Sequence, residues 1–517
     1  MGILDSAFPR KPEPVAKPAP NRAANPAPAK PEVPRFSIGR FEIARKDEHR
    51  GFLFCGAPGT GKSVAITRIL DVIVPRGDSG FVADRDGFFM SRHYNAERGD
   101  AILNPFDARS VSWSPLAEFD GEFSADSMAH AIVPDGTGGA EEWHGYAQTI
   151  LAPILLHCWE SNLSNADVFT LAISAGPEIL LPILAGSAAE AFVQEGNEKF
   201  LGSIRGVLGR YLQPFAHLDP SAGRDAFSIK RWVRERDGKP SAWLWFPYNE
   251  PQRKALAKLI CACADTYAEG VIGLAPNESR RRWLVLDEFS SLGQINSIET
   301  FCSNARKYGG APLLGLQAVS QMFMHYGEHP TKSILACLGS WLILRTPDAD
   351  TADFLSKQLG DHQSTRTLNS TSENSGYSPG GATSGSSSST NQQVSIERRY
   401  LPSQIQKLRD RHGILNLTGD APIAECDLPI PPHREPEAEA FIPRPPRSRL
   451  AAQPLVDTRS QSVVLSAEDM ASDPSTDAGG GIPGLDDLDA QQASEQVEAG
   501  KPATVPVAPD DDIIPIM

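Results

Sequence analysis

The stretch GFLFCGAPGTGKS, residues 51–63, decides how this chain is read. GFLFC is a compact apolar run of strand length. GAPGTGKS then fills the pattern G-x-x-x-x-G-K-S/T from Gly56 through Ala57, Pro58, Gly59, Thr60, Gly61 and Lys62 to Ser63. Val64, Ile66, Ile69, Leu70 and Ile73 follow at helical spacing. A glycine-rich turn between a strand and a helix lets backbone N–H groups curl round phosphates, and the helix N-terminus adds partial positive charge. In such a loop Lys62 reaches the β- and γ-phosphates and the Ser63 hydroxyl ligates Mg²⁺. The expected ligands are ATP and Mg²⁺.

A Mg-bound triphosphate also requires a carboxylate at the end of a neighbouring strand. WLVLDE, residues 283–288, supplies it, with Asp287 for the Mg²⁺ shell and Glu288 to polarise the attacking water. Arg306 and Gln317 are further candidates. Gln317 ends the apolar run APLLGL, where a side chain reaches a γ-phosphate or the water. Arg306 lies in the polar segment NARKYGG, suited to an arginine finger supplied to a neighbouring subunit. Spacing alone also fits a surface arginine and a strand-end glutamine.

Outward from the phosphate loop, short apolar runs at 80–83, 101–103, 241–246, 283–286, 311–316 and 341–344 alternate with helical patterns, which predicts an α/β domain on a parallel sheet. Between them, residues 120–222 carry long apolar-periodic stretches with Pro153, Pro177 and Pro214 as boundaries, and read as an all-helical insertion. The expected organisation is a Pro/Ala-rich disordered arm at 1–35, a nucleotide-binding domain at 36–119 and 223–431, and the insertion at 120–222. A Ser/Gly-rich flexible loop at 365–393 and a disordered acidic tail at 432–517 complete it.

The 517 residues carry a formal charge of -15, which at first argues against a nucleic-acid partner. From Asp457 onward, however, 13 acidic residues stand against only Arg459 and Lys501. The remaining body is close to neutral, so overall acidity does not exclude DNA. The seven cysteines lack CxxC spacing and read as reduced, buried thiols. Cys261 and Cys263 diverge by about 200° on a helix, which favours core packing over a metal. Trp243, Trp245, Phe246 and Tyr248 alternate as core strand residues, and His144 reads as a helix-surface residue. No run approaches the ~20 apolar residues of a membrane span. Residues 171–186, interrupted by Pro177, Glu178 and Pro182, read as a buried helical pair. A cytoplasmic protein is expected.

Taken in order, GAPGTGKS, VADRDG, NPFDARSVSWSPL, VLDEFSSLGQINSIETFCSNARKYGGAPLLGLQAVSQMFMHYG, TADFLSKQLGDHQSTR and RRYLPSQIQKL resemble the type IV secretion coupling proteins, the TraD/TrwB-like ATPases of conjugation. The resemblance covers roughly residues 41–429. It implies a RecA-like motor domain interrupted by an all-alpha domain, and a hexameric ring that pumps DNA and links the relaxosome to the secretion channel. On this reading Arg306 matches the family's proposed arginine finger and Gln317 the glutamine of its later motif. The implied partners are DNA, relaxosome or accessory proteins docked by the acidic tail at Asp510, Asp511 and Asp512, and a membrane-embedded secretion component. Two departures stand out. A Pro/Ala-rich arm occupies the place of the usual transmembrane helices, which implies either recruitment to the inner membrane by a separate membrane protein or a soluble variant whose ring forms only on DNA. Asp86 replaces the lysine common in relatives, with Arg85 as its substitute. The alternatives are an FtsK- or HerA-like DNA pump, and an ATP-dependent adaptor for secreted proteins.

Overall fold

The computed structural model of the chain describes residues 33–445 apart from Thr137, Gly238 and Pro240. Nearly all of the Pro/Ala-rich arm, and the acidic tail from 446 on, lie outside the described residues.

The chain enters through a small antiparallel pair, β1 (Ser37–Ile38) and β2 (Phe41–Glu42). Then come β3 (Phe52–Cys55), α1 (Lys62–Ile73), β4 (Ser79–Arg85), α2 (Phe88–His93) and β5 (Ala101–Ile102). Helices α3 (Phe123–Ile132), α4 (Glu141–Glu160), α5 (Asn165–Ile173), α6 (Pro177–Leu184), α7 (Glu198–Leu212) and α8 (Ile229–Glu235) separate β5 from β6 (Trp243–Tyr248). The second half runs α9 (Glu250–Ile272), β7 (Arg282–Leu286), α10 (Phe289–Leu292), α11 (Ile298–Asn304) and β8 (Gly310–Leu316). It continues with α12 (Val319–Tyr326), α13 (Glu328–Ala336), β9 (Ser340–Ile343) and α14 (Ala349–Gln358). A hairpin of β10 (Asp361–Ser378) and β11 (Gly381–Arg398) precedes α15 (Pro402–Gln406), β12 (His412–Asn416) and β13 (Ala424–Asp427).

The main sheet has nine strands in the order β13-β12-β9-β3-β8-β7-β4-β6-β5. The seven from β9 to β5 are parallel, and β12 and β13 add an antiparallel edge. The period of two sorts each central strand between two cores. Leu53, Phe81, Leu244, Leu284 and Leu314 face one core, while Phe52, Val82, Trp243, Trp283 and Leu313 face the other. The first core runs on without a break into the helical segment through Ala147, Ile150, Leu151 and Leu208. Helical structure in this segment extends from Pro115 to Glu235, beyond 120–222 at both ends.

The segment NPFDARSVSWSPL is a set of structural ties. Asn104 donates to the Pro247 carbonyl at 2.7 Å and to Gln252 at 3.2 Å, joining the end of β5 to the end of β6 and the start of α9. Just beyond it, Glu118 is fully buried. Its carboxylate accepts from Trp113 Nε1, the Ser228 hydroxyl and the backbone N–H groups of Ile229 and Lys230, capping α8.

Cys261 and Cys263 pack in the core, as do Trp243, Trp245, Phe246 and Tyr248. Four expectations change. The segment at 365–393, expected as a flexible loop because it is too polar to bury a core, instead lies within a hairpin held by backbone pairing from Asp361↔Arg398 to Ser378↔Gly381. Such a ladder needs no apolar face, only partnered N–H and C=O groups. The tail expected from 432 first forms a strap across the body, where Glu437 and Ala438 N–H groups donate to the Ser91 carbonyl. Further on Arg444 N–H donates to Phe106, and Ala108 N–H to Ile442. His144 is half-buried rather than on an open helix surface, with Nδ1 2.8 Å from the Pro134 carbonyl and Nε2 3.2 Å from the Tyr211 hydroxyl. Finally, α5 and α6 meet at a 110° bend, and α6 buries Leu180 and Leu184 but leaves Ile179 and Leu181 exposed. Among the described residues no single helix is long and apolar enough to cross a membrane.

Candidate functional site

Parallel strands that end at one edge of a sheet collect their following loops into one crevice. Here the loops after β3, β4 and β7 do so. They border a cavity of about 730 Å³ that includes Pro58, Gly61, Lys62, Ser63, Arg85, Asp287 and Glu288.

The phosphate loop leaves β3 at Gly56, whose N–H donates to the Leu316 carbonyl at 3.0 Å, while Ala57 N–H donates to the Arg345 carbonyl at 2.9 Å. Gly56 has no room for a side chain: a Cβ would lie 2.6 Å from Leu344 Cβ and 2.8 Å from the Thr60 hydroxyl. Gly61 adopts a φ of 118° and caps α1. Lys62 is buried and donates to the Gly56 carbonyl. Burial pushes its ammonium below the ordinary lysine range, against the opposing pull of Asp287 and Glu288. A desolvated cation at a helix N-terminus is a receptor for an anion.

The Ser63 hydroxyl donates to Asp287 Oδ2 at 3.2 Å. The other oxygen, Oδ1, is buried without a hydrogen-bond partner. Burial lifts the Asp287 carboxyl to about 6, with Lys62 drawing it down. A hydroxyl and an incompletely satisfied carboxylate side by side form a hard-oxygen donor set that fits Mg²⁺. Ser63 and Asp287 are the residues that would hold the ion, which when bound neutralises phosphate charge.

The carboxylate strand was expected beside the phosphate-loop strand, but β8 lies between β3 and β7. Asp287 still reaches Ser63, and the intervening strand brings in Gln317. Gly315 makes the close approach of β8 and β7 feasible, since a Cβ there would fall 1.9 Å from the Asp287 carbonyl oxygen. Gln317 Nε2 donates to Glu288 Oε1. Arg85, at the end of β4, stands 3.4 Å from Glu288 Oε2 and 3.7 Å from Asp86. The pairing that places Arg85 at this site was only partly visible in the sequence. Asp86 adopts a left-handed φ of 64°, in a turn where its N–H donates to Tyr248.

Asp84 escaped the sequence reading. It is fully buried, accepts from Met90 N–H at 2.6 Å, and is lifted by burial to about 8. Its sequence signals were an acidic residue closing an apolar strand and its place in VADRDG, and neither gave it a role.

Arg306 is not brought to this cavity. It precedes β8, whereas Gln317 follows it, so seven strand residues, roughly 23 Å, separate the two ends. Arg306 is half-exposed and lies 3.9 Å from Glu278.

The fold and the site define a P-loop nucleotide-binding domain of RecA-like architecture. The model of the type IV secretion-system coupling protein DNA-binding domain matches residues 35–429, and the chain belongs to that family. It is 28% identical over 410 residues to coupling protein TraD of Escherichia coli K12, covering 79% of this chain and 56% of TraD. It is 30% identical over 148 residues to conjugal transfer protein TraG of Rhizobium radiobacter, covering 28% of this chain and 22% of TraG. The chain thus spans about half of TraD and about a fifth of TraG. Among solved structures, the unbound conjugative coupling protein TrwBdeltaN70 matches at 28% identity with a TM-score of 0.69, covering 80% of this chain and 92% of that one. TrwB in complex with ADP and Mg²⁺ matches at 27% identity and the same TM-score, with 80% and 94% covered.

Proposed function

We propose that this chain is an ATP-driven DNA translocase that couples DNA processing to a type IV secretion channel. One observation carries the reading: Lys62, Ser63, Asp287 and Glu288 line a single cavity at the strand ends, with Gln317 bonded to Glu288 behind it. TrwB, a relative with the same fold, was solved with ADP and Mg²⁺ and with an ATP analogue.

In the proposed cycle, the phosphate loop N–H groups and Lys62 hold the triphosphate. Ser63 and Asp287 bind Mg²⁺. Glu288 accepts the proton of the attacking water, and its carboxylate is oriented by Gln317 on one oxygen and faced by Arg85 near the other. Arg306, remote from its own cavity, reaches the site of a neighbouring copy and stabilises charge on the transferring phosphoryl group. That role requires a ring, and a hexamer is the proposed assembly. Relaxosome or accessory proteins and a membrane-embedded secretion component are the proposed partners, with DNA as cargo.

The test is the DNA dependence of ATP hydrolysis by the full chain. Stimulation by single- or double-stranded DNA, accompanied by concentration-dependent assembly, is expected. Hydrolysis indifferent to DNA but raised by a secreted protein would replace the translocase with an adaptor for protein substrates.

A further inference from the structure

We propose that Arg411 is a phosphate-binding residue of the nucleotide site, supplied from the turn before β12 and acting at the end of the nucleotide remote from Glu288. The proposal rests on the cavity being a nucleotide site.

Arg411 borders the same cavity as Lys62 and Ser63, although about 350 residues of chain separate them. Its backbone is fastened to the phosphate loop. The Arg411 N–H donates to the Thr60 carbonyl at 2.8 Å, and its own carbonyl accepts from Leu428 N–H at 2.8 Å. Its Cα and Cγ both lie 3.3 Å from where a side chain on Gly61 would begin. The residue adopts a φ of 58°, a left-handed conformation that is unfavourable for a side chain of this length. A glycine would meet that turn without strain, yet the position carries a long cation. Strain of this kind persists where surrounding contacts over-determine it, and it gathers at ligand sites.

The charges point the same way. Asp410, the adjacent carboxylate, is paired with Arg345 at 2.5 Å. Among the described residues the exposed Arg411 guanidinium has neither an ion-pair nor a hydrogen-bond partner. The strand order gives it a position along the ligand. Glu288 follows β7 and Gln317 follows β8, both on one side of β3, whereas β9 and β12 lie on the other. A triphosphate whose γ-phosphate faces Glu288 therefore extends its nucleoside end toward β9 and β12. There Arg411 meets the α-phosphate, which a guanidinium binds through charge-assisted hydrogen bonds.

The test measures ADP and ATP affinities of the full chain for the parent, Arg411→Ala, Arg411→Gly and Lys62→Ala proteins at low and high salt. Both Arg411 variants are expected to bind ADP and ATP about 10-fold more weakly, and the deficit should shrink as salt screens the ion pair. Glycine relieves the left-handed turn while removing the cation, so parental affinity in Arg411→Gly would reduce Arg411 to a turn residue and overturn the proposal. A deficit independent of salt would also overturn it, by pointing to contact with the base. Unchanged binding in Lys62→Ala would instead remove the nucleotide-site reading itself.

Discussion

Gln317 donates its side-chain amide to the carboxylate of Glu288, joining the ends of β8 and β7 across the proposed hydrolytic centre. The bond fixes one carboxylate oxygen of Glu288 and leaves the other on the side facing Arg85. Glu288→Gln removes the base but keeps the shape, so ATP should bind near parental affinity while turnover falls by about 100-fold or more. Gln317→Ala frees the carboxylate and should lower turnover with little change in affinity. Steady-state hydrolysis alongside equilibrium ATP binding checks both, and parental turnover in Glu288→Gln would remove it as the base.

Asp287 and Asp84 predict two separate pH dependences. Mg²⁺ requires the ionised form of Asp287, so Mg-dependent nucleotide affinity should fall as pH drops through about 6. Asp84 is lifted from 3.8 to about 8 by burial, so between those values the folded protein holds more protons than the unfolded chain. The sign follows: stability falls as pH rises through this window and levels off above about 8. Asp84→Asn, which cannot ionise but can still accept from Met90 N–H, should lose this part of the slope. Thermal unfolding of both proteins from pH 5 to pH 9 checks it, and parallel profiles would count against a protonated Asp84.

Gly315 predicts a mutation that acts at a distance from its own side chain. In Gly315→Ala the new Cβ would collide with the Asp287 carbonyl at 1.9 Å, and backbone must move. A loss of about 1–3 kcal/mol in stability is expected, together with weaker Mg²⁺ dependence of nucleotide binding because Asp287 shifts from Ser63. Unfolding midpoints and Mg²⁺ titrations check the two effects. Retention of both would mean that β7 and β8 separate freely.

The legible parts of this molecule were those written in local pattern. The runs at 51–55, 241–246 and 283–286 are apolar on both faces because their strands lie between two cores, and a buried parallel strand requires that composition. Lys62, Ser63, Asp287 and Glu288 were legible because each follows such a strand within a few residues. The order of the strands was not, since nothing in WLVLDE records that β8 intervenes. The hairpin at 361–398 was hidden because backbone hydrogen bonds, rather than side-chain alternation, define it. The strap at 432–445 and Arg411 were hidden for a related reason: each is held by main-chain contacts to segments hundreds of residues away. Gly315 did carry a signal, as a glycine within an apolar strand marks a close backbone approach.

The central claim is a nucleotide site shared between neighbouring copies, with Lys62 on one side and Arg306 on the other. It is tested most directly by mixing Arg306→Ala and Lys62→Ala subunits and measuring ATP hydrolysis in rings confirmed to contain both. Each variant alone should be inactive. In an equal mixture roughly a quarter of the interfaces would pair an intact Lys62 with an intact Arg306, and hydrolysis should return in proportion. Confirmed mixed rings with no recovered activity would contradict a shared site.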